Sequence, residues 1–564
     1  MPSPLARLGA WLDSKRARLG IPMVGVALAL PSIAGGLVFD DLAMRSRVHG
    51  ATGADFASRF DLFAFFPGDV AGRARLHDLG FLPWFASPKL QISFLRPLSA
   101  LSHFVDYTLF DRWPWWMHLE SLALYAALLF VAGALYRRFL PAAVAPLAAL
   151  LYALDYGHGI PVGWLANRNA LIAGTLALLA LGAHDRWRRE GWRAGAVVGP
   201  AVFGLALLGG ESAVGVLGFL LAHAMTLDRA PTKRRLAAVA PYLIVFAVWH
   251  AVYRALGYGA HGSGAYLDPV FQPAAFVTEL PRRAIALLTS QVGPPPASLY
   301  PALPRGAQWP LILAEAAVLT LLVRLLAARV RASPELRFFA LGALLALPPA
   351  TMAFSDNRLL ILVGWGVFPI VASVIGDLSV AAPLPRALRG LRRFWLVHYL
   401  VISPLLLTFS AVFLPLVARL VRPLDLGPGL AKQTVVLTHV PTLLTAVPWV
   451  FTDDVSRTAP ARVRVLLSTL GSVAVRREDP HTVVLSLGDD STPDPTTLLF
   501  RERDRRFEVG EVLPVPGLRA EVLRVDDDGA AREVRFHFDR PLDDPAYRWI
   551  GYEGGRFTEL PVPR

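Results

Sequence analysis

The chain has 564 residues, no cysteine, 54% hydrophobic and 18% charged residues, and a formal charge of +13 from 56 basic and 43 acidic side chains. Soluble chains carry about 45–50% apolar and about 25% charged residues, so this composition excludes a disordered chain, a disulfide-stapled secreted protein and an ordinary cytosolic enzyme. The charge is unevenly spread: from Asp453 onward 38 of 112 positions are charged, with a net charge of −4, whereas the first 452 residues hold 61 charges and a net +17.

A helix needs about 20 apolar residues to cross a bilayer. In chain order, predicted spans lie at 21–39, 118–136, 139–154, 168–184, 194–209, 212–227, 236–256, 309–328, 338–354, 359–376 and 394–419. The expected fold is a polytopic α-helical membrane protein of about 11 transmembrane helices, several of them short or interrupted by proline. The stretch 284–300 (AIALLTSQVGPPPASLY) reads as a re-entrant or interfacial piece. The first span follows a basic tail, but its apolar run exceeds the 7–15 residues of a signal-peptide core, so it is expected to stay attached.

Lys and Arg in short loops set orientation. With the 1–20 tail in the cytoplasm, inner turns hold Arg137/Arg138, Arg186/Arg188/Arg189/Arg193, Arg229/Lys233/Arg234/Arg235, Arg329/Arg331/Arg337 and Arg386/Arg389/Arg392/Arg393. Alternate turns hold Arg168 only, then none near Glu211, then Arg358 only. The bilayer therefore explains the basic total better than nucleic acid does, and no nucleic-acid partner is expected. The C-terminal tail is placed outside, as in an integral protein of a bacterial inner membrane.

The loop at 40–117 is long for a connector, and loops beyond about 12–15 residues are usually functional or disordered. Its Phe, Trp and Pro content favours folding against the membrane surface. Within it, 54–66 (ADFASRFDLFAFF) reads as an amphipathic interfacial helix.

The loop opens with Asp40 and Asp41, where the first span leaves the membrane. Two adjacent carboxylates at a bilayer boundary repel each other and resist desolvation, which marks a functional-site candidate beside the plainer reading of a solvated helix end. One is suited to take a proton from an attacking hydroxyl, the other to orient it. Further polar residues fall at outer ends of spans: Arg96 in FLRPLSAL, His118 and Glu120 in MHLESL, His158, Asn167 and Arg168 in GHGIPVGWLANRN, Glu211 in GGESAV, and Asp356 and Arg358 in SDNRLL. Taken singly, each reads as a snorkelling or capping group. Taken together, they bring Arg and carboxylates to one outer layer, and Arg is the usual clamp for a phosphate leaving group.

These segments, in this order, resemble the GT-C superfamily of polytopic glycosyltransferases, nearest to the protein O-mannosyltransferases that carry TPR repeats and their bacterial relatives. The Asp-Asp after the first span is similar to the family's acidic pair. FLRPLSALSHFVDYTLF followed by WMHLESLALY resembles its Y-R-P-L segment and the His-led span after it. YALDYGHGIPVGWLANRNALIAGTLALL resembles its A-L-H-P-x-H-x-E-x-x-x-W-x-x-x-R segment, keeping Ala153, Leu154, His158, Trp164 and Arg168. LLGGESAVGVLGFLLAHA resembles S-K-E-x-A-V, and SDNRLLILVGWGVFPIVA resembles D-R-Y-L-Y-L-P-S-x-G-F. The likeness covers 20–376.

The resemblance implies transfer of a sugar from a polyprenyl-phosphate donor on the outer membrane face. It implies Asp40 as catalytic base with Asp41 in support. It implies that Arg96, Arg168 and Arg358 contact the donor phosphate or frame its pocket, with His118, Glu120, His158 and Glu211 in the same substrate layer. The sequence departs from the family at Gly210 (Lys there), Ile160 (Glu), Asp155-Tyr156 (His-Pro) and Asn357-Arg358-Leu359 (Asp-Arg-Tyr), and it has no TPR repeats. No metal-ligand spacing is found, and neither a cofactor nor a metal is predicted. The partners expected are membrane lipid, the polyprenyl-phosphate sugar and an acceptor that is a protein, a lipid or a polysaccharide.

The membrane body is assigned to 21–420, and 421–461 to a Pro/Gly linker with a short strand and helix. The region 462–564 is assigned to an extracytoplasmic β-rich domain. VRVLLS, TVVLSL, RAEVLRV and EVRFHFD are short β segments, with turns at Gly488-Asp489 and Asp527-Asp528-Gly529. Val534, Phe536 and Phe538 are expected on one face, with Arg535 and His537 on the other. Asp526–Asp528 reads as a solvated turn and RERDRR at 501–506 as a solvated edge.

Two other functions stand beside the glycosyltransferase. One is a degenerate relative that binds a lipid-linked glycan or scaffolds an envelope complex, which the changes at Gly210 and Ile160 favour. The other is a transporter, for which Glu315 and Arg324 are the only ionisable midspan candidates and no inverted repeat is found.

Overall fold

The computed structural model describes residues 4–50, 58–376, 385–451, 459–492, 494–502 and 505–564. The chain divides into two compact units. The first comprises Met1–Gly36, Leu95–Leu256 and Ala274–Leu414, and the second Leu37–Phe94, Gly257–Pro273 and Pro415–Arg564.

The first unit is helical, and every predicted span contains a helix. Among the described residues, six helical stretches are long and apolar enough to cross a membrane: Ala17–Ala34, Pro114–Phe139, Leu165–Glu190, Thr232–Ala255, Gly306–Ala332 and Arg386–Leu420. The others are shorter. Ala145–Ala153 has nine residues, which at 1.5 Å per residue covers about 14 Å, half the thickness of a hydrocarbon core. Proline explains part of this: Pro141 and Pro146 precede and open that helix, and Pro348-Pro349 follows Pro334–Leu345. The stretch 284–300, read as a re-entrant or interfacial piece, is only partly helical. Its first part belongs to a 20-residue helix, Pro273–Val292, which ends before the prolines at 294–296.

Asn169–Glu190 packs against both Pro114–Phe139 and Gly195–Gly209. Its Ala and Gly content lets backbones approach closely, as membrane helices require. Deeper in the core, Tyr136 stacks on Trp365 with ring centroids 5.4 Å apart and donates to the Trp365 carbonyl at 2.7 Å. Gly306–Ala332 behaves differently, leaving Trp309, Leu313, Leu321 and Val323 exposed. A helix that keeps large apolar residues outward is suited to a lipid solvent.

The second unit is built on sheets. A five-stranded antiparallel sheet has the spatial order Val473–Asp479, Thr482–Leu487, Ala531–Phe538, Leu518–Val525, Val512–Val515. A four-stranded mixed sheet has the order Arg556–Glu559, Tyr547–Glu553, Thr434–Val440, Arg462–Ser468. The predicted β segments fall on strands, and Val534, Phe536 and Phe538 are buried together. Thr434–Val440, in the stretch read as linker, pairs in parallel on both sides and forms an inner strand. Arg501 is not a solvated edge: it is 6% exposed, its guanidinium lies 3.8 Å over the Phe507 ring, and its Nε donates to the Arg505 carbonyl at 2.8 Å. Residues 503 and 504 of that run lie outside the described residues.

The stretch 37–94 belongs to this unit and is not an unstructured connector. It contains the helices Asp40–His49 and Val70–Leu79. The expected interfacial helix at 54–66 is also corrected. Residues 51–57 lie outside the described residues, and Ala64–Phe66 is a strand paired with Gln91–Ser93, which in turn pairs with Gly259–His261. The aromatic run 63–66 suits a pleated half-buried surface better than a helix face. Trp84 Nε1 donates to the Leu466 carbonyl at 2.8 Å, and Arg462 Nε to Asp78 Oδ1 at 2.7 Å. The folded loop is thereby joined to the tail strand Arg462–Ser468.

Candidate functional site

The acidic pair lies in the second unit, at the start of helix Asp40–His49. Phe39 caps that helix with φ 48° and ψ −111°, and it is the one non-glycine residue at positive φ among the described residues. A non-glycine residue there stores strain, which persists only when the surroundings over-determine it. Two features do so. The Phe39 side chain is buried, and Asp41, fully buried, accepts the Val38 N–H at 3.0 Å through Oδ2. Asp41 thus ties the turn back on itself, while Asp40 stays half-buried at the first helical position.

The far end of this helix is anchored. Arg47 donates to the carbonyls of Asp61 at 2.7 Å and Ala64 at 3.1 Å, and burial lowers its pKa to about 10 against the opposing pull of Asp61. Burial pushes the Asp61 carboxyl above its ordinary value, opposed by the Tyr258 hydroxyl, which donates to Oδ2 at 3.0 Å, and by Arg47. The helix also packs on Val447–Val450 of the tail.

The remaining predicted residues belong to the first unit. Arg96 caps helix Pro97–Leu109, and its Nε donates to Glu211 Oε2 at 2.7 Å, with the two side chains 17% and 23% exposed. Glu211 opens the turn after Gly195–Gly209, and its Oε1 is buried without an acceptor contact filled. Gly210 packs close to helix Asn169–Glu190: a Cβ there would lie 3.2 Å from Asn169 Nδ2 and 3.4 Å from the Ala173 Cβ. Ile160 is half-buried in the short helix Gly159–Gly163.

Arg168 is 0% exposed and fully engaged. It donates to Asp106 Oδ2 at 2.6 Å, Glu120 Oε2 at 2.9 Å, the Met117 carbonyl at 2.8 Å and Ser121 Oγ at 3.1 Å. A guanidinium so occupied frames a site and has little left to offer a ligand. His118 is buried, with Nε2 2.9 Å from the Gly36 carbonyl. His158 is buried between the rings of Tyr152 and Tyr125, at 4.5 and 5.4 Å. Both histidines pack in the interior.

Arg358 is different. Its guanidinium lies 5.1 Å from the Phe354 ring and 5.4 Å from the Trp164 ring, with Asp356 Oδ2 at 4.0 Å from Nε. Its Nε and the Trp164 Nε1 are both buried donors without a hydrogen-bond partner. Buried donors left open cost free energy that an anion's oxygens would recover. Burial raises the Asp356 carboxyl above its ordinary value, against the pull of Arg358 and its backbone N–H.

The sequence reading assigned no role to Phe39, Asp106 or Trp164. Asp106 had a signal, since a carboxylate inside an otherwise apolar helix needs a partner. Among the described residues, no group of three or more His, Asp or Glu side chains is placed to hold a metal ion.

No protein-family model matches the sequence, and no curated protein matches it. Among solved structures, the chain is similar to the Archaeoglobus fulgidus oligosaccharyltransferase in its apo form, with a TM-score of 0.39 and 13% identity over 71% of this chain and 56% of that one. It is similar to the same enzyme tethered with an acceptor peptide containing the NVT sequon, with a TM-score of 0.38 and 12% identity over 80% and 64% of the two chains. It is also similar to ArnT from Cupriavidus metallidurans bound to undecaprenyl phosphate, with a TM-score of 0.37 and 14% identity over 76% and 84%. The chain therefore spans 56–64% of the oligosaccharyltransferase's length.

Proposed function

We propose that this chain is an integral membrane glycosyltransferase of the GT-C type, moving a sugar from a polyprenyl-phosphate donor to an acceptor hydroxyl on the outer membrane face. The observation that carries the reading is the division of labour in the acidic pair: Asp41 is buried and tied to Val38, while Asp40 remains half-exposed at a strained turn. Asp40 takes the proton of the acceptor hydroxyl. The acceptor oxygen bonds to the anomeric carbon, and the bond from that carbon to the phosphate oxygen breaks, its electron pair leaving with the polyprenyl phosphate. Arg358, with the Trp164 indole N–H, receives the growing phosphate charge, and Arg96 with Glu211 borders the donor. Arg168 holds the frame. The N-terminus is assigned to the cytoplasm and the β-rich tail to the outside of a bacterial inner membrane.

The test is release of undecaprenyl phosphate from undecaprenyl-phosphate-linked hexoses by the purified chain in liposomes supplied with a cell-envelope extract as the source of acceptor hydroxyls. Release from at least one hexose donor is expected, and Arg358→Gln is expected to weaken undecaprenyl-phosphate binding by about 1.5–3 kcal/mol, the worth of a charged hydrogen bond. Unchanged binding in Arg358→Gln removes that residue from the donor site.

The packing at Gly210 favours a second reading, because a side chain there meets Asn169. In that reading the chain binds a lipid-linked glycan without transferring it. Tight undecaprenyl-phosphate binding with no release from any hexose donor distinguishes it.

A further inference from the structure

Helix Arg386–Val397 (RALRGLRRFWLV) carries four arginines and no acidic residue. It continues through a π-helical turn, His398–Ile402, into Ser403–Leu420. Its two faces differ sharply. Leu388, Leu391 and Leu396 pack on the helical core, and buried Trp395 donates its indole N–H to the Val292 carbonyl at 2.9 Å. Arg386, Arg389 and Arg393 are exposed, and their spacing of three and four places them in one stripe.

Several arginines of the other inner turns have partners. Arg138 pairs with Asp185 and Glu190, Arg188 with Asp228, and Arg329 donates to the Ser373 carbonyl. Among the described residues, none of the four arginines on Arg386–Val397 has a carboxylate within reach, and the Arg392 Nε is buried with no acceptor at all. Positive charge in the first turns of a helix also opposes its dipole, so this cluster is unfavourable until an anion meets it. Farther along the same helix, Val397, Val401, Leu405 and Phe409 are exposed, which suits contact with hydrocarbon. The arginine stripe therefore lies where an apolar lipid-facing surface ends, the level of phosphodiester groups.

We propose that Arg386, Arg389 and Arg393, with the Arg392 Nε, form a binding surface for the headgroups of acidic phospholipids. Guanidinium groups meet phosphodiester oxygens through paired, charge-assisted hydrogen bonds. The proposal rests on the chain spanning a membrane and is independent of the transfer chemistry.

The test uses the full chain in vesicles of equimolar phosphatidylglycerol and phosphatidylcholine, solubilised gently, with co-purifying lipid counted by native mass spectrometry. Wild-type protein is expected to retain phosphatidylglycerol over phosphatidylcholine by about tenfold, as three arginines near an anionic surface allow. The triple variant Arg386→Gln/Arg389→Gln/Arg393→Gln should lose that preference, and Lys233→Gln/Arg234→Gln, on the exposed start of another helix, should keep it. Retention of the preference in the triple variant, or its equal loss in the Lys233/Arg234 variant, overturns the proposal. A photoactivatable phosphatidylglycerol on the wild-type chain provides a reading that needs no variant: labels are expected within 386–397, and labels confined elsewhere overturn the site. Resistance to alkaline carbonate extraction, measured alongside, tests the membrane reading separately.

Discussion

At the scale of single residues, one backbone conformation and one buried guanidinium stand out. Phe39 pairs a buried aromatic side chain with a backbone that favours glycine. Phe39→Ala removes the ring and keeps the strain, whereas Phe39→Gly removes both. The glycine variant is therefore predicted to be more stable than the alanine variant by about 1 kcal/mol or more, since the strain released exceeds the entropy glycine brings to the unfolded chain. Thermal unfolding in detergent reads this directly, and an alanine variant as stable as the glycine one would remove strain from the account. Arg168 gives a second prediction. Replacing it with Leu strands Asp106 and Glu120 and is expected to cost about 3–5 kcal/mol, while Arg168→Leu with Asp106→Leu should recover much of the loss. Additive losses in the double variant would show that the pair is not coupled. Part of this was legible in the sequence: polar residues such as Arg96 and Glu211 at the ends of apolar runs are visible by position. Their pairing across 115 residues is not, and a positive φ at a phenylalanine leaves no mark in composition or period.

At the scale of elements, legibility followed burial. Ala531–Phe538 alternates cleanly because it is an inner strand with one buried face. Val473–Asp479, Val512–Val515 and Arg556–Glu559 are edge strands. Edges are kept polar to avoid mispairing, so VAVRRED carries no period-two signal to find. Helices were legible by hydropathy, but their lengths were not, because proline placement decided where each one ended. One element-scale prediction concerns helix Val70–Leu79, whose His77 has an Nδ1 buried without a partner. Burial, then Arg464 and Arg73, lower the His77 pKa from 6.5 to about 4. Between those values the unfolded chain binds a proton that the folded one does not, so stability falls as pH drops from about 6.5 to about 4 and is fully present above that window. Hydrogen exchange across 70–90 should quicken over this range in the wild type and respond less in His77→Gln. An equal response in both would remove His77 as the cause.

At the scale of the whole molecule, the uneven charge does mark two differently built parts, but the parts are not consecutive. The β-rich unit draws in 37–94 and 257–273 together with the tail from Pro415, so the acidic pair belongs to a unit that composition alone assigned to the C-terminus. The tail strands, through Leu466 and Arg462, hold the same folded loop that begins at Asp40. The central claim is that Asp40 activates an acceptor for attack on a lipid-linked sugar. The measurement that tests it most directly is sugar transfer by Asp40→Asn in liposomes supplied with an undecaprenyl-phosphate hexose that the wild type uses and a cell-envelope extract as the source of acceptor hydroxyls. The account predicts loss of transfer by at least about 100-fold, as expected for removal of a general base, with undecaprenyl-phosphate binding and thermal stability unchanged. Transfer at the wild-type rate in that variant would contradict it.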